Sequence, residues 1–296
     1  MAENRRNGKK GPALKRELLD ENGKSRGFYS ESNRVNDLTG REWVFWSRSV
    51  ITKAYPPNMQ HSLRNAHGGQ KPPALCADLI RIFTKSGQSV LDPFMGVGGV
   101  LLGASLCGRK AVGVEINPKW IEVYREVCSR ENLAEQETIP GDARDALSTL
   151  DGRRFELVLT DVPYWRMDTA SRSKGTYKKV GQAARPVRAS KLSEFGGTRY
   201  GSKEEWLDRM GEIFGIAAEL LAPKGYLATF IGDMYRDNRY HCLSAELASR
   251  IQCLPGLVWK ANIVWYDVSK KLHLYGYQYS YIPSLIHQNI LVFRKE

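Results

Sequence analysis

The residues best placed for chemistry in this chain follow a buried apolar run. The run at 156–160 (ELVLT) predicts a strand, and Asp161-Val162-Pro163-Tyr164 comes directly after it. Open α/β sheets bind ligands at the carboxyl ends of their strands. A carboxylate there and the backbone carbonyl of residue 162 can hold the two hydrogens of an exocyclic base amine, so that the nitrogen lone pair points at an electrophilic methyl group. Pro163 stiffens the turn, and the Tyr164 ring can stack on a base flipped out of its duplex.

A glycine-rich turn stands upstream of this tetrapeptide. A predicted strand at 89–92 leads into Pro93-Phe94-Met95-Gly96-Val97-Gly98-Gly99, and a helix follows. Glycines let the backbone approach a ligand closely. A dinucleotide site requires G-x-G-x-x-G, but this chain has Leu101 where that pattern needs glycine or alanine. The alternative is S-adenosylmethionine, which carries no pyrophosphate and needs the same close approach of the backbone.

Two acidic residues follow the next two predicted strands. Glu115 ends the second strand, 17 residues after Gly98, where its carboxylate can accept hydrogen bonds from ribose hydroxyls. Asp142, in Gly141-Asp142-Ala143-Arg144, follows the third strand and can accept from an adenine amine. Together with the glycine turn, these acids predict an S-adenosylmethionine site. The competing interpretation is a helix cap and two surface acids.

Taken together, the motifs resemble those of the amino-group DNA methyltransferases, which use S-adenosylmethionine to methylate adenine N6 or cytosine N4. The resemblance covers residues 36–296. It is carried by the stretches at 71–72, 91–99, 108–109, 113–118, 161–164, 222–227 and 286–295. It implies that Asp92 and Phe94 join the cofactor site and that Lys71 lies beside the methionine end of the cofactor.

The tetrapeptide departs from the family motif D/N/S-P-P-Y at two points. Val162 replaces the first proline; its carbonyl remains available, but the backbone is less rigid. Asp161 is commoner in adenine N6 enzymes, whereas the relatives with the most similar overall pattern have serine and act on cytosine N4. The target base therefore stays open between cytosine N4 and adenine N6.

Basic residues are concentrated after the tetrapeptide. The chain has 44 Lys and Arg against 32 Asp and Glu, a net charge of +12. Residues 165–203 hold ten basic and two acidic residues, which is +8 of that total. Basic side chains mixed with aromatic rings suit phosphates and bases, whereas the alternative is a solvated loop. We expect contact with double-stranded DNA from Trp165, Arg166, Lys178, Lys179, Arg185 and Arg188.

Alternation of β-branched runs with amphipathic segments predicts a doubly wound α/β sheet. The resemblance implies seven strands, mostly parallel, in a Rossmann-like methyltransferase fold with a basic insertion after the catalytic motif. We divide the chain into a flexible basic tail (1–35) and a methyltransferase domain (36–296), in which 165–203 is the candidate DNA-recognition insertion. Predicted strands lie at 89–92, 111–115, 156–160, 226–231, 257–265 and 285–293. Predicted helices lie at 73–84, 100–107, 118–131, 203–221 and 242–252.

Several classes of protein are excluded by composition. No apolar run reaches the roughly 18 residues of a membrane span, and the basic N-terminus has no apolar stretch behind it, which predicts a cytoplasmic protein without a membrane partner. The cysteines and histidines show no metal-ligand spacing, so we expect no metal. No cysteine follows a proline, which argues against cytosine-C5 chemistry. A homodimer and a cognate restriction enzyme stay open.

Two other functions compete with a site-specific DNA methyltransferase. One is an RNA methyltransferase acting on guanine N2, since such enzymes use a similar tetrapeptide. The other is a catalytically silent DNA-binding relative that kept the fold after losing the first proline of the motif.

Overall fold

A computed structural model describes residues 14–20, 22–165, 201–272, 274 and 278–296. The strands are β1 (Lys15–Leu19), β2 (Ser25–Ser30), β3 (Val50–Ile51), β4 (Ser89–Asp92), β5 (Lys110–Glu115), β6 (Glu137–Pro140), β7 (Phe155–Asp161), β8 (Leu221–Ile231), β9 (Met234–Arg236), β10 (Arg239–His241), β11 (Leu257–Tyr266) and β12 (His287–Lys295). The helices are α1 (Gly40–Trp46), α2 (His61–Arg64), α3 (Pro73–Phe83), α4 (Gly99–Leu106), α5 (Pro118–Arg130), α6 (Ala143–Ser148), α7 (Lys203–Glu219) and α8 (Leu243–Gln252).

The main sheet has eight strands in the order β3-β11-β12-β8-β7-β4-β5-β6. Strands β8, β7, β4, β5 and β6 are mutually parallel, and β12 runs antiparallel between β8 and β11. The prediction of a mostly parallel, doubly wound sheet is confirmed. The eighth strand, β3, has only two residues, which pair with Val264 and Trp265, and so short a segment carries no periodicity that a sequence could reveal.

Helices cover both faces of this sheet. One core cluster packs α6, α7 and α8 against one face, and a second packs α3, α4 and α5 against the other. Local signals set the helix starts: Asn117 caps α5 by accepting from the Lys119 amide at 3.1 Å, and Pro118 occupies the first turn. Because the five parallel strands run in one direction, their carboxyl ends meet at a single edge, which receives the predicted motifs.

The N-terminal region differs from the predicted tail. Strands β1 and β2 form an antiparallel hairpin, and α1 begins with a capping box between Thr39 and Glu42. The side chain of Asn36 donates to the Ile82 carbonyl at 2.6 Å, which fastens the hairpin to the end of α3. The prediction of a flexible tail is therefore wrong for the described residues between 14 and 35, because long-range hydrogen bonds order a segment with little apolar periodicity of its own.

Most of the predicted DNA-recognition insertion lies outside the described residues. This includes five of its candidate contacts, namely Arg166, Lys178, Lys179, Arg185 and Arg188. Gly201 begins the next described range, and the Ser202 hydroxyl caps α7 by accepting from the Glu205 amide at 3.1 Å. The division into tail, domain and insertion otherwise stays a prediction. Within the described ranges, every helix is too short or too polar to cross a membrane.

Candidate active site

Asp161 and Lys71 form a buried ion pair at the carboxyl edge of the sheet. Asp161 is the last residue of β7, and its Oδ2 accepts a hydrogen bond from the Lys71 ammonium group. The Lys71 side chain is 8% exposed and its Nζ also lies 5.3 Å from the centre of the Phe230 ring. The second oxygen of the same carboxylate, Oδ1, is buried and has no hydrogen-bond partner among the described residues. The carboxylate thus has one oxygen held by a cation and one acceptor free.

Burial and charge act in opposite directions on this carboxylate. Burial raises the pKa of Asp161, whereas the charge and hydrogen bond of Lys71, and a smaller contribution from Tyr164, lower it. Burial and the neighbouring Asp161 charge also raise the pKa of the Tyr164 hydroxyl, which therefore stays protonated at neutral pH. Lys71 is therefore the main group that opposes the effect of burial on the Asp161 pKa and favours the ionised carboxylate.

The tetrapeptide is held by tertiary contacts on both sides. Val162 is buried in the core, and the Pro163 carbonyl accepts from the Trp206 indole at 2.7 Å. The Tyr164 hydroxyl accepts from the side-chain amide of Gln288, which lies near the start of β12. These contacts restrain the backbone where Val162 replaces the proline of the family motif. Neither contact could be predicted: Trp206 lies in a predicted helix, and Gln288 lies in the resembling stretch at 286–295 without an assigned role.

Trp165 is placed differently from the prediction. Its side chain is 8% exposed, belongs to the core and contacts the His241 ring edge-on at 5.2 Å between ring centres. The described structure therefore gives Trp165 a packing role, and its contact with a nucleic acid stays a prediction. An apolar residue after a strand end serves packing as readily as binding, and the sequence alone does not separate the two.

The glycine turn after β4 is shaped by positive backbone angles and close neighbours. Gly96 has φ +49° and Gly98 has φ +75°. A Cβ on Gly96 would lie 3.0 Å from Nε2 of His67, and a Cβ on Gly98 would overlap the ring of Tyr124. Only glycine combines these angles with this lack of space. Sequence analysis identified the glycines, whereas the two aromatic neighbours emerge only from the fold.

The acids predicted from β5 and β6 lie beside this turn. Glu115 accepts from the Gly96 amide at 3.0 Å through Oε2 and from the Asn117 amide at 2.8 Å through Oε1. Burial raises its pKa, and these amides oppose the shift. Asp142 is half-buried and caps α6 by accepting from the Arg144 amide at 3.0 Å. The backbone of Gly141 donates to the Glu115 carbonyl at 2.9 Å, which brings the two acids to adjacent strand ends.

His67 closes the other side of the glycine turn. It is buried, and its ring contacts Trp120 edge-on with 5.0 Å between centres. Its Nδ1 accepts from the Gly69 amide at 3.3 Å. Burial, with a smaller contribution from the Lys71 charge, lowers the pKa of His67 to about 3, so the ring is neutral at physiological pH. The loop that contains His67 and Lys71 therefore links the turn to the Asp161 carboxylate.

Asp92 braces this arrangement. It is 2% exposed, and its Oδ1 accepts from the Thr160 hydroxyl at 2.6 Å and from the Phe94 amide at 3.1 Å. These bonds join the ends of β4 and β7, and Thr160 directly precedes Asp161 in the chain. Asp92 thereby positions both the glycine turn and the tetrapeptide. Its direct contact with cofactor, and that of the half-buried Phe94, stay predictions.

We expect the Asp92→Asn variant to change how stability depends on pH. Burial raises the Asp92 pKa from 3.8 to about 7, so the folded state binds this proton more tightly than the unfolded state. The contribution of protonated Asp92 to the free energy of unfolding is complete below pH about 4 and is lost as the pH rises through about 7. The variant should therefore flatten the fall in the free energy of unfolding across that interval, measured by urea denaturation. The exposed Asp151→Asn is the charge-matched control, and an unchanged slope in Asp92→Asn would contradict the assignment.

The residues at this edge fit S-adenosylmethionine. The glycine turn and the buried Glu115 carboxylate, which accepts from the Gly96 amide, lie together at the carboxyl ends of β4 and β5, where such a cofactor would bind. No group of three or more His, Cys, Asp or Glu within the described ranges could hold a metal ion. Lys71 is the exception to the expected set: its ammonium group is bound to Asp161, so contact with the methionine end of the cofactor stays a prediction.

Comparisons with known proteins match part of this chain, and the family-model match includes Lys71, the glycine turn and Glu115. A family model described as DNA methylase, of N6/N4 type, matches residues 7–126. The chain is 35% identical over 133 residues to a tRNA (guanine(10)-N2)-dimethyltransferase of Methanothermobacter thermautotrophicus, a match to 44% of this chain and 38% of that protein. It is 33% identical over 88 residues to the Type II methyltransferase M.BglI of Bacillus subtilis, a match to 30% of this chain and 24% of that protein.

The chain therefore spans less than two-fifths of the length of these curated relatives. Among solved structures, TrmN from Thermus thermophilus aligns with 79% of this chain and 52% of its own, at 18% identity and a TM-score of 0.49. Similarity of this degree supports no functional argument, and the fold assignment depends on the strand order described above.

Proposed function

We propose that this chain, a member of the amino-group family of S-adenosylmethionine-dependent methyltransferases, acts on DNA. It methylates an exocyclic base amine of double-stranded DNA. The target is cytosine N4 or adenine N6 in a flipped base. The observation that carries the proposal is the asymmetry of the Asp161 carboxylate: Oδ2 is bound to Lys71, and Oδ1 is buried with no hydrogen-bond partner in the part of the chain that the structure describes. An acceptor in this state suits a hydrogen of an incoming amine.

The reaction needs a nitrogen lone pair that points at the methyl donor. When bound, S-adenosylmethionine supplies a methyl group on a positively charged sulfur. Asp161 Oδ1 accepts one amine hydrogen, and the carbonyl of Val162 is proposed to accept the other, which draws the lone pair out of the ring. Lys71 keeps Asp161 ionised and in place, because it is the cation in contact with Oδ2. An amine held in this way would take the methyl group that S-adenosylmethionine supplies, S-adenosylhomocysteine would leave, and the proton lost by the nitrogen would pass to the Asp161 carboxylate that already accepts its hydrogen bond.

Tyr164 is proposed to stack on the flipped base. Its hydroxyl is tethered by Gln288, and its ring lies beside Gly232, where an added Cβ would be 3.3 Å from Cε2. A ring held on two sides loses little further freedom on stacking, which favours binding of an extruded base. The contacts to duplex phosphates are assigned to the basic segment, with Arg166, Lys178, Lys179, Arg185 and Arg188 among them, as a part of the same proposal.

A second candidate function is methylation of guanine N2 in RNA. It is favoured by the similarity to a tRNA (guanine(10)-N2)-dimethyltransferase, which exceeds the similarity to M.BglI in both identity and length. Guanine N2 is also an exocyclic amine, so the same carboxylate would serve. DNA is preferred here because the family model and several Type II methyltransferases match the chain.

The deciding experiment is incubation with methyl-labelled S-adenosylmethionine and either unmethylated duplex DNA or unmodified tRNA. Digestion to nucleosides and mass spectrometry then identify the product. We expect N4-methylcytosine or N6-methyladenine from DNA. N2-methylguanine from tRNA alone would establish the second candidate, and cofactor binding without transfer to either substrate would indicate a silent relative.

A further inference from the structure

A cavity of about 680 Å³ lies between the N-terminal hairpin and α1, apart from the active-site edge. Its walls come from β1, β2, the following loop and the first turn of α1. The lining residues are Lys15, Gly27, Phe28, Ser30, Ser32, Asn33, Arg34, Val35, Leu38, Gly40, Arg41 and Trp43. This volume lies within the range of sites that take a small molecule or a nucleotide-sized group. No role in the proposed reaction uses these residues.

The charged side chains that line the cavity are all basic. Lys15, Arg34 and Arg41 are exposed, and none of the ion pairs found in the described part of the chain involves them. The nearest acid of α1, Glu42, is paired with Arg26 at 2.9 Å. Glu17 is the cross-strand neighbour of Phe28 on the hairpin and is not a lining residue. The cavity therefore offers three positive charges to a ligand, with the Glu17 carboxylate on the same face of the hairpin beside Phe28.

Two large aromatic rings are exposed in the same cavity. Phe28 is 61% exposed and Trp43 is 43% exposed, although both have apolar surface that folding normally buries. Aromatic rings beside basic side chains are the arrangement that holds single-stranded nucleic acid, because each unpaired base offers a face for stacking and each phosphate offers a negative charge. A paired base in a duplex has no free face, so rings within a cavity favour unpaired bases.

We infer that this hairpin cavity binds an unpaired segment of the DNA substrate, with bases on Phe28 and Trp43 and phosphates on Lys15, Arg34 and Arg41. The inference rests on the proposed function for the identity of the nucleic acid. The inferred cavity is a second contact surface for DNA, and it binds single-stranded rather than double-stranded DNA.

The position of the cavity separates it from catalysis. The hairpin is fastened at the amino ends of the strands: Lys85, between α3 and β4, donates to the Asn33 carbonyl at 2.7 Å, and Arg109, just before β5, pairs with Asp37 at 3.3 Å. The Asp161 carboxylate lies at the opposite, carboxyl edge. For a duplex substrate that carries a single-stranded extension, loss of the cavity contacts should therefore weaken DNA binding and raise KM, while kcat at saturating DNA stays the same.

The test measures binding of labelled oligo-dT by fluorescence anisotropy over a range of salt concentrations, with the full chain. The Arg34→Ala/Arg41→Ala double variant is expected to bind about ten-fold more weakly. Its log–log salt slope should be smaller by about 1.4, since each phosphate contact to a single strand contributes about 0.7. Trp43→Ala should weaken binding by about 10-fold or more with an unchanged salt slope, because stacking releases no counterions.

Two control variants test whether weaker binding could come from loss of the fold. Arg16→Ala removes a basic side chain adjacent to Lys15 on the same strand but outside the cavity, and its affinity should stay within two-fold of the original. Glu17→Gln removes a negative charge near Phe28 and should strengthen binding, a result that destabilisation cannot produce. Unchanged affinity in both the double arginine variant and Trp43→Ala would overturn the inference, as would an equal loss for fully paired duplex.

Failure of this inference and failure of the proposed function are distinguishable. If the unaltered chain transfers methyl groups to DNA but the cavity variants bind oligo-dT normally, only the inference about the cavity is overturned. If oligo-dT binding is salt-sensitive and depends on these residues, but no methyl group is transferred to DNA, the inference about the cavity is supported and the proposed function is overturned. If Trp43→Ala leaves DNA affinity unchanged and instead shifts the sedimentation of the chain, the cavity is a contact between two copies and the inference is wrong.

Discussion

Replacement of Asp161 by alanine is expected to reduce methyl transfer by about 10²–10³-fold or more, while S-adenosylmethionine affinity changes only a few-fold. The reason is that Asp161 Oδ1 is a buried acceptor with no partner within residues 14–165 and the other described ranges, and loss of one preorganised hydrogen-bonding group of this kind costs a reaction about that factor. Single-turnover transfer from methyl-labelled cofactor measures the rate, and isothermal titration measures cofactor affinity. Equal loss of both would refute the assignment.

A companion variant separates the carboxylate from its cation. Lys71→Met removes the main influence that lowers the Asp161 pKa, so burial, opposed only by the smaller contributions of Tyr164 and Lys270, raises that pKa further. We expect transfer to fall at neutral pH and to recover in part as the pH is raised, because the carboxyl ionises at a higher pH. Loss of activity with no change in the pH profile would instead assign Lys71 to the cofactor, as the family resemblance implies.

Gly98→Ala is expected to destabilise the fold by about 2–5 kcal/mol and to abolish cofactor binding. The backbone at Gly98 has φ +75°, which costs a residue with a Cβ about 1–2 kcal/mol, and overpacking of a core costs about 1–3 kcal/mol more. The added methyl group would overlap the ring of Tyr124, which is completely buried and accepts from the Gln136 amide at 2.8 Å. The ring therefore has no space into which it can move.

The control for this variant is Gly87→Ala. Gly87 has nearly the same angle, φ +79°, but no atom lies within 4 Å of an added Cβ. Its free energy of unfolding should fall only by the cost of the backbone angle, about 1–2 kcal/mol, and the variant should keep cofactor binding. Urea denaturation and isothermal titration give both quantities. Similar destabilisation of the two variants would show that the Tyr124 contact contributes nothing.

Local patterns determined much of the architecture before any tertiary contact was known. All six predicted strands and five predicted helices are present, and the largest shift is at β8, which begins at Leu221 rather than at 226. Apolar periodicity and turn residues act within a few positions of each other, so they are legible in one chain. For the same reason, the glycine turn, the Asp161 tetrapeptide and the acids Glu115 and Asp142 could be identified as one set at the carboxyl edge.

Partners across the sheet could not be identified in this way. The tether of Tyr164 by Gln288 spans 124 positions, and the ion pair of Asp161 with Lys71 spans 90. Trp165, which we expect to contact DNA, packs in the core, and residues expected to be a tail form a hairpin with a cavity. Sequence determines which residue types stand at strand ends, because spacing is local. Which of them pair, are desolvated or reach a surface is decided only when distant segments pack, since burial and ion pairing depend on what arrives from elsewhere in the chain.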